Sequence, residues 1–301
     1  MTGTVLILGA SGKIGRHAHK AFNAAGWTVR LYDRKARDMT AQAKSADVIV
    51  NGLNPPNYHN WAELIPEITA DVIAAARANE ATVIIPGNLY VFGDRPGLWD
   101  EATPHRPVSR KGHIREEMER AYESAGIQTI ILRAGDFISA TAGDDDLMGI
   151  VHLRAIRKGV VTALGAPDVM HAYTYLPDWA NCAVRLAEMR AQLPAWTDLC
   201  CGGMNFTISD LARALETATG RNLSVKEFAW WQMRLAAPVW ELARELLEMR
   251  YLWQTPHRLG SERLAKQLPD FHCTDIQKVM TAGLPADMHR PDYPQNAAVT
   301  L

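Results

Sequence analysis

The sequence predicts an α/β protein built on a doubly wound parallel sheet, and three observations carry that prediction. Short β-branched runs alternate with longer helical stretches through the first half of the chain. The runs are apolar, as strands covered on both faces by helices are. A glycine-rich turn joins the first run directly to the first helical stretch.

The predicted strands are Thr4–Leu8, Thr28–Tyr32, Val48–Asn51, Thr82–Ile85 and Thr129–Leu132. The predicted helices between them are Ile14–Ala25, Trp61–Asn79 and Gly112–Ser124, joined by right-handed crossovers. The second half reads as fewer strands and longer helices, a smaller and mostly helical lobe. Ser209–Thr219 opens on a Ser/Asp start signal and closes near Gly220. Ala229–Trp253 is rich in Trp, Leu and Met and is interrupted at Pro238. Within it Trp240, Ala243, Leu247 and Tyr251 recur at helical spacing, as lobe core or as a lid against a cleft. No Gly/Ser linker separates the lobes, so they are expected to share an interface. Residues 1–146 form the first domain, with 168–195 returning to it, and 147–167 and 196–301 form the smaller lobe. The tail around Arg290, Pro291, Asp292, Tyr293 and Pro294 is expected to be extended.

Composition narrows the function. The chain has 301 residues, 48% hydrophobic and 22% charged, the proportions of a soluble globular protein. A net charge of −1 offers no footprint for nucleic acid or an anionic membrane. No apolar stretch reaches the length of a membrane span, and a strand-like run begins within a few residues of Met1, so a cytoplasmic protein without a leader is expected. Cys182, Cys200, Cys201 and Cys273 fit no zinc spacing and are expected to be buried free thiols. Asp144, Asp145 and Asp146 lack the ordered spacing of a cation loop and read as a solvated turn, so no metal is expected.

The glycine turn is Gly9-Ala10-Ser11-Gly12-Lys13-Ile14-Gly15. Gly9 permits the tight turn, Gly12 lets backbone amides approach a pyrophosphate, and Gly15 lets the helix pack on the strand. The helix start then offers N–H groups and a positive dipole to phosphates. This is the Rossmann arrangement, and it predicts a nicotinamide dinucleotide held by Gly9, Ser11, Gly12, Lys13, Ile14 and Gly15. Asp33 follows the second strand and suits ribose hydroxyls, which favours NAD; Arg34 and Lys35 suit a 2′-phosphate, which favours NADP. Both cofactors stay open.

Further segments resemble the extended short-chain dehydrogenase/reductase family of nucleotide-sugar epimerases and dehydratases. Asn88-Leu89-Tyr90-Val91-Phe92-Gly93 resembles its segment ending in Val-Tyr-Gly. Glu101-Ala102-Thr103-Pro104 with Pro107, Gly112 and Glu119 resembles the approach to its active-site helix. Leu132-Arg133-Ala134-Gly135-Asp136-Phe137 resembles its Leu-Arg-Pro-Gly-Asn strand end, and Tyr175 to Ala180 its Val-x-Asp-Val-Ala segment. Gly202 to Leu211 and Leu259 to Phe271 resemble its substrate lobe. The resemblance spans nearly the whole chain.

The resemblance implies a catalytic Ser, Tyr and Lys, and the matching positions here hold Asn88, Lys111 and Arg115. The family's Tyr exchanges a proton with a substrate hydroxyl, and its Lys binds the nicotinamide ribose. Arg115 has donors to keep the ribose contact, and Asn88 can bond a substrate carbonyl. Lys111 lies one helical turn before Arg115, and two neighbouring cations disfavour each other, which would make Lys111 a proton acceptor. The competing reading is a solvated basic face of Arg110, Lys111 and Arg115 paired with Glu116, Glu117 and Glu119. His171 lies near the segment where substrates bind in relatives. Two functions follow. One is an NAD(P)-dependent oxidoreductase or epimerase acting on a small, sugar-like hydroxyl or carbonyl substrate. The other is a non-catalytic NAD(P)-binding redox sensor or regulator. A homodimer is one expectation for its assembly.

Overall fold

The computed structural model describes residues 2–36, 38–139 and 146–291. Asp144, Asp145 and the tail from Asp292 onward, Tyr293 and Pro294 included, lie outside the described residues. Along the chain run β1 (Thr4–Leu8), α1 (Lys13–Ala24), β2 (Thr28–Leu31), α2 (Met39–Gln42), β3 (Val48–Asn51), α3 (Trp61–Asn79) and β4 (Thr82–Gly87). Next come β5 (Gly97–Trp99), α4 (Arg110–Ser124), β6 (Thr129–Arg133), β7 (Asp136–Ile138), β8 (Val160–Ala163), β9 (His171–Tyr175) and α5 (Leu176–Glu188). Then follow β10 (Trp196–Cys200), β11 (Met204–Phe206), α6 (Ile208–Thr219), β12 (Ser224–Glu227), α7 (Trp230–Ala236), α8 (Glu241–Met249), β13 (His257–Leu259), α9 (Glu262–Gln267) and α10 (Ile276–Thr281).

The main sheet has the order β10-β6-β4-β3-β1-β2, and every pairing in it is parallel. The apolar runs have a simple cause. Val5 and Ile7 of β1 feed the layer shared with α1 and α5, while Leu6 and Leu8 feed the layer under α3 and α4. Both faces are buried, so no position of the run is free to be polar. A fully buried side chain such as Ile7 or Ile49 contributes about 1.5–3 kcal/mol. Trp179 of α5 anchors its face through a bond from Nε1 to the Leu132 carbonyl, 2.9 Å.

Strand order reverses at β1: the chain moves from β1 to β2 on one side and to β3 on the other. A crevice opens outside the carboxyl ends of strands at such a reversal. The glycine turn leaves β1 at this point.

The second lobe differs from its expected form in two ways. Its helices are shorter: α7 and α8 have 7 and 9 residues, against 19 for α3. Pro238 separates those two, since it cannot donate the next helical bond. Short strands pair in three small sheets, β11-β9-β7, β12-β8 and β13-β5. In addition β10, expected in the second lobe, is an edge strand of the main sheet beside β6. Its run Trp196-Thr197-Asp198-Leu199-Cys200 mixes polar and apolar residues because an edge strand is only partly covered. The lobe's core joins Tyr173, Phe206, Leu211, Leu215 and Val279. Helix α6 opens one residue before its expected start: Thr207, its N-cap, and Asp210 form a reciprocal capping box, and Gly220 closes the helix at φ 67°.

Cys182, Cys200 and Cys201 are buried free thiols, whereas Cys273 is exposed. Among the described residues no helix is long and apolar enough to cross a membrane.

Candidate active site

The three turn glycines have different surroundings. Gly9 takes φ 73°, and a Cβ there would lie 2.7 Å from the Gly52 carbonyl oxygen after β3. A Cβ on Gly15 would collide with Gly9 O and the Ala10 Cα. Gly12 has more room, its nearest neighbour being Gly9 O at 3.2 Å. The Gly12 N–H donates to Gly9 O, 2.9 Å, and Gly12 opens α1 without a side-chain cap. Gly12, Lys13 and Ile14 line a cleft of about 630 Å³ between the two lobes. Ser11 is exposed on the turn, and its carbonyl accepts a bond from Arg16 Nη1, 3.0 Å.

Asp33 and Arg34 stand exposed just past β2, outside the cleft lining. Asp33 Oδ1 accepts the Lys35 N–H at 2.9 Å, and the Gln42 side chain bridges the Asp33 backbone at 2.8 and 3.0 Å. This holds the acidic and basic cues side by side.

Of the three positions matched to the family's catalytic set, two face the cleft. Asn88 lines it, with Oδ1 accepting the Tyr90 N–H at 3.0 Å and its carbonyl accepting Arg133 Nη1 at 2.9 Å. Arg115 lines it too, donating to Asn54 Oδ1 at 2.7 Å and stacking 4.5 Å over the Trp61 ring. Lys111 turns elsewhere. Its amine is wholly buried, 2.6 Å from Glu248 Oε2 and paired with the Glu245 carboxylate, both on α8. It also reaches the Glu245 carbonyl at 3.3 Å, and Arg110 joins Glu245 at 2.7 Å. The expected meeting of Asn88, Lys111 and Arg115 in the cleft therefore does not form, and neither does a solvated Lys111. Glu245 and Glu248 offer a buried cation two partners, and such a cation goes where its charge is matched. Burial works to raise the Glu245 carboxyl, yet the bonds and charges of Lys111 and Arg110 hold it below the usual range.

Sequence reasoning missed several lining residues. The Tyr58 and Tyr90 hydroxyls meet at 3.3 Å, and burial raises both phenols. Tyr122, in contrast, is buried beneath the sheet and accepts a bond from Asn51, 3.2 Å. Asp136 Oδ2 bonds with both His171 Nε2, 2.9 Å, and Trp253 Nε1, 3.0 Å. Asn54, Asn88 and Asp136 each lie shortly past the carboxyl end of a main-sheet strand, which is the signal that finds them. Tyr58 has no such signal.

Arg133 is fully buried behind Asn88. It forms a two-pronged bond with Glu119, 3.0 and 3.0 Å, and reaches Asp198 at 2.6 Å. Among the described residues His105, Glu119 and Asp198 are the one group spaced to hold a metal ion. The Arg133 guanidinium already joins the two carboxylates of that group and supplies the charge a cation would bring.

Comparison with known proteins places this site in context. Residues 5–90 match the family described as NAD dependent epimerase/dehydratase. No curated protein matches the chain. Among solved structures, UDP-glucose 4-epimerase from Brucella ovis in complex with NAD superposes with a TM-score of 0.70 at 16% identity, over 93% of this chain and 97% of that one. UDP-glucuronic acid 4-epimerase from Bacillus cereus, in complex with UDP-glucuronic acid and NAD, gives 0.71 at 13% identity over the same shares, 93% and 97%. The Bordetella bronchiseptica enzyme WbmH in complex with NAD+ gives 0.69 at 13% identity, over 94% and 97%. Residues 5–90 thus match the NAD dependent epimerase/dehydratase family model, and the described chain shares the fold of these solved structures.

Proposed function

We propose that this protein binds a nicotinamide dinucleotide, NAD or NADP, and works as an oxidoreductase or epimerase/dehydratase-type enzyme. Its substrate would be a small, sugar-like molecule reacting at a hydroxyl or carbonyl carbon. One observation carries this reading: the glycine turn leaves no space for a Cβ at Gly9 or Gly15, but opens at Gly12 onto the cleft. That is a cradle for a pyrophosphate. Gly9, Ser11, Gly12, Lys13, Ile14 and Gly15 would hold it, with Asp33 and Arg34 toward the adenosine ribose. When bound, a nicotinamide supplies or accepts a hydrogen together with its electron pair. Asn88 and Arg115 are positioned to hold polar groups in the cleft, and Lys111 fixes the wall that α8 provides. The NAD named with the neighbouring structures supports the cofactor, and their UDP-sugars support the class of reacting carbon. The buried thiols Cys182, Cys200 and Cys201 suit a reducing, cytoplasmic setting.

Titration calorimetry with NAD and NADP tests the reading. Saturable binding of at least one is expected, weakened by about a hundredfold in Gly12→Val, where side-chain bulk meets the pyrophosphate. Equal affinity in the two proteins, or no binding of either cofactor, overturns it. The position of Lys111 favours a second reading, a cofactor-binding regulator, because the residue at the family's tyrosine position is committed to Glu245 and Glu248. Cofactor binding with neither net NAD reduction nor epimerisation or dehydration across a broad panel of hydroxyl compounds and sugars selects that reading.

A further inference from the structure

We infer that the second-lobe half of the cleft takes an uncharged hydroxyl or carbonyl compound with a largely apolar body, lacking a nucleotide diphosphate, and that Asp136 sets this selectivity. The inference rests on the cofactor part of the proposed function, in which the dinucleotide fills the glycine-turn half, and puts an apolar-bodied substrate in place of a sugar-like one.

The lining of the two halves differs in kind. The cations that line the cleft among the described residues, Lys13 and Arg115, both stand on the glycine-turn side, and Arg115 is held there by Asn54. Among the described residues, the lining from Ala134 onward holds no lysine or arginine. It is made largely of apolar side chains, among them Val151, Leu164, Leu242, Leu246 and Trp253. Such a wall favours an apolar body through burial of surface from water.

Among the described residues, the acidic group of that half is Asp136, whose carboxylate pairs with His171 Nε2 at 2.9 Å. The Asp136 side chain is 28% exposed, against 8% for its partner His171, so the carboxylate is the more open member of the pair. Burial works to raise its carboxyl, but the His171 hydrogen bond and charge and the Trp253 bond hold it below the usual range. His257, edge-on to His171 on the same wall, does not supply a compensating cation, since burial and His171 push it down to about 3. A diphosphate here would place two further negative charges beside a carboxylate whose ion-pair partner, His171, is already engaged, on a largely apolar wall. A neutral hydroxyl instead donates to Asp136 and finds apolar neighbours for the rest of its molecule. The second lobe thus departs from neighbours whose complexes hold UDP-sugars.

The experiment is calorimetry on the full chain saturated with NADH, or with NADPH if only that one binds, using two probes: UDP-glucose and 4-phenyl-2-butanol, an uncharged alcohol whose hydroxyl can donate to Asp136. The alcohol is expected to bind saturably, and UDP-glucose about tenfold more weakly or worse. Leu246→Arg should weaken the alcohol about tenfold. Asp136→Lys should raise UDP-glucose affinity about tenfold. If that variant fails to fold by circular dichroism, Asp136→Asn should raise it about threefold. UDP-glucose binding as tightly as the alcohol in the wild type overturns the inference. So does an alcohol that fails to saturate, or a folded Asp136 variant with unchanged UDP-glucose affinity. NADH and NADPH affinities are read before either probe is added. The absence of both overturns the proposed function and this inference together, whereas cofactor binding with tight UDP-glucose overturns this inference alone.

Discussion

The Lys111 amine sits 2.6 Å from the Glu248 carboxylate, and this contact joins a helix of the first lobe to a helix of the second. With Glu245, which Arg110 also bonds, it forms an ionic group in which Lys111 is the fully buried cation. Lys111→Met keeps the apolar stem but strands Glu248 and leaves the buried Glu245 to Arg110 alone. We expect a loss of about 3–5 kcal/mol in urea unfolding, with NAD affinity changed by less than about threefold. A stability equal to wild type would show that the lobes are joined by something else.

The glycines separate folding from binding. Gly15→Ala should cost about 1–3 kcal/mol, because its Cβ meets backbone that cannot move aside. Gly12→Ala should cost under about 1 kcal/mol, because only Gly9 O is near and φ there is ordinary. Thermal melts of the two variants in parallel check the ranking, and a reversed order would refute it.

Under the proposed function, cofactor choice would turn on Asp33. Its carboxylate would repel a 2′-phosphate and accept ribose hydroxyls. Asp33→Ala should shift the NADP-to-NAD affinity ratio toward NADP by about tenfold, with Arg34 left in place. An unchanged ratio in titrations of both cofactors would mean that Asp33 does not meet the ribose.

Acid should unfold the protein early. His257 and His152 are buried and pushed down to about 3 and about 4 by desolvation. Unfolded, each takes up a proton near pH 6.5. Between these values the unfolded chain binds more protons, so stability falls as pH falls from about 6.5 toward the folded values. Each should contribute about 2 kcal/mol of loss between pH 7 and pH 5. Replacing one of them, as in His257→Phe, which keeps the stack on Trp99, should remove about half of that slope in denaturant titrations. An acid limb as steep as wild type would show that carboxylates dominate it.

Arg133 ties the acidic cluster to the backbone of Asn88. Arg133→Met should leave Glu119 and Asp198 unmatched and cost about 3–5 kcal/mol. A chemical denaturation curve at neutral pH measures it, and a loss below about 1 kcal/mol would deny the cluster its structural role.

How much of this was legible depends on whether the information lay along the chain. Thr4–Leu8 and the turn after it are local: the strand's both-face burial makes its run apolar, and each glycine meets backbone nearby or across one strand. Asn88 and Arg115 were reachable by counting from Gly93, Pro107 and Gly112, and both do line the cleft. Lys111 was not readable, since its partners stand 134 and 137 positions away on a helix in the other lobe. His171 was singled out, but its link to Asp136 depends on β7 lying beside β9 with Asp136 opposite Tyr173, two residues from His171 on the same face. The strand β10 escaped notice because its position at an edge lets polar residues break the apolar run.

Helix α8 has only 9 residues, yet neighbouring stripes of it have separate tasks. Leu242 and Leu246 face the cleft, while Glu245 and Glu248 grip Lys111. The residues that would choose a substrate are therefore distinct from those that fasten the lobe. A lineage can exchange the two leucines, one at a time, and try new chemistry against an unchanged attachment. The ionic seam makes the cleft wall interchangeable.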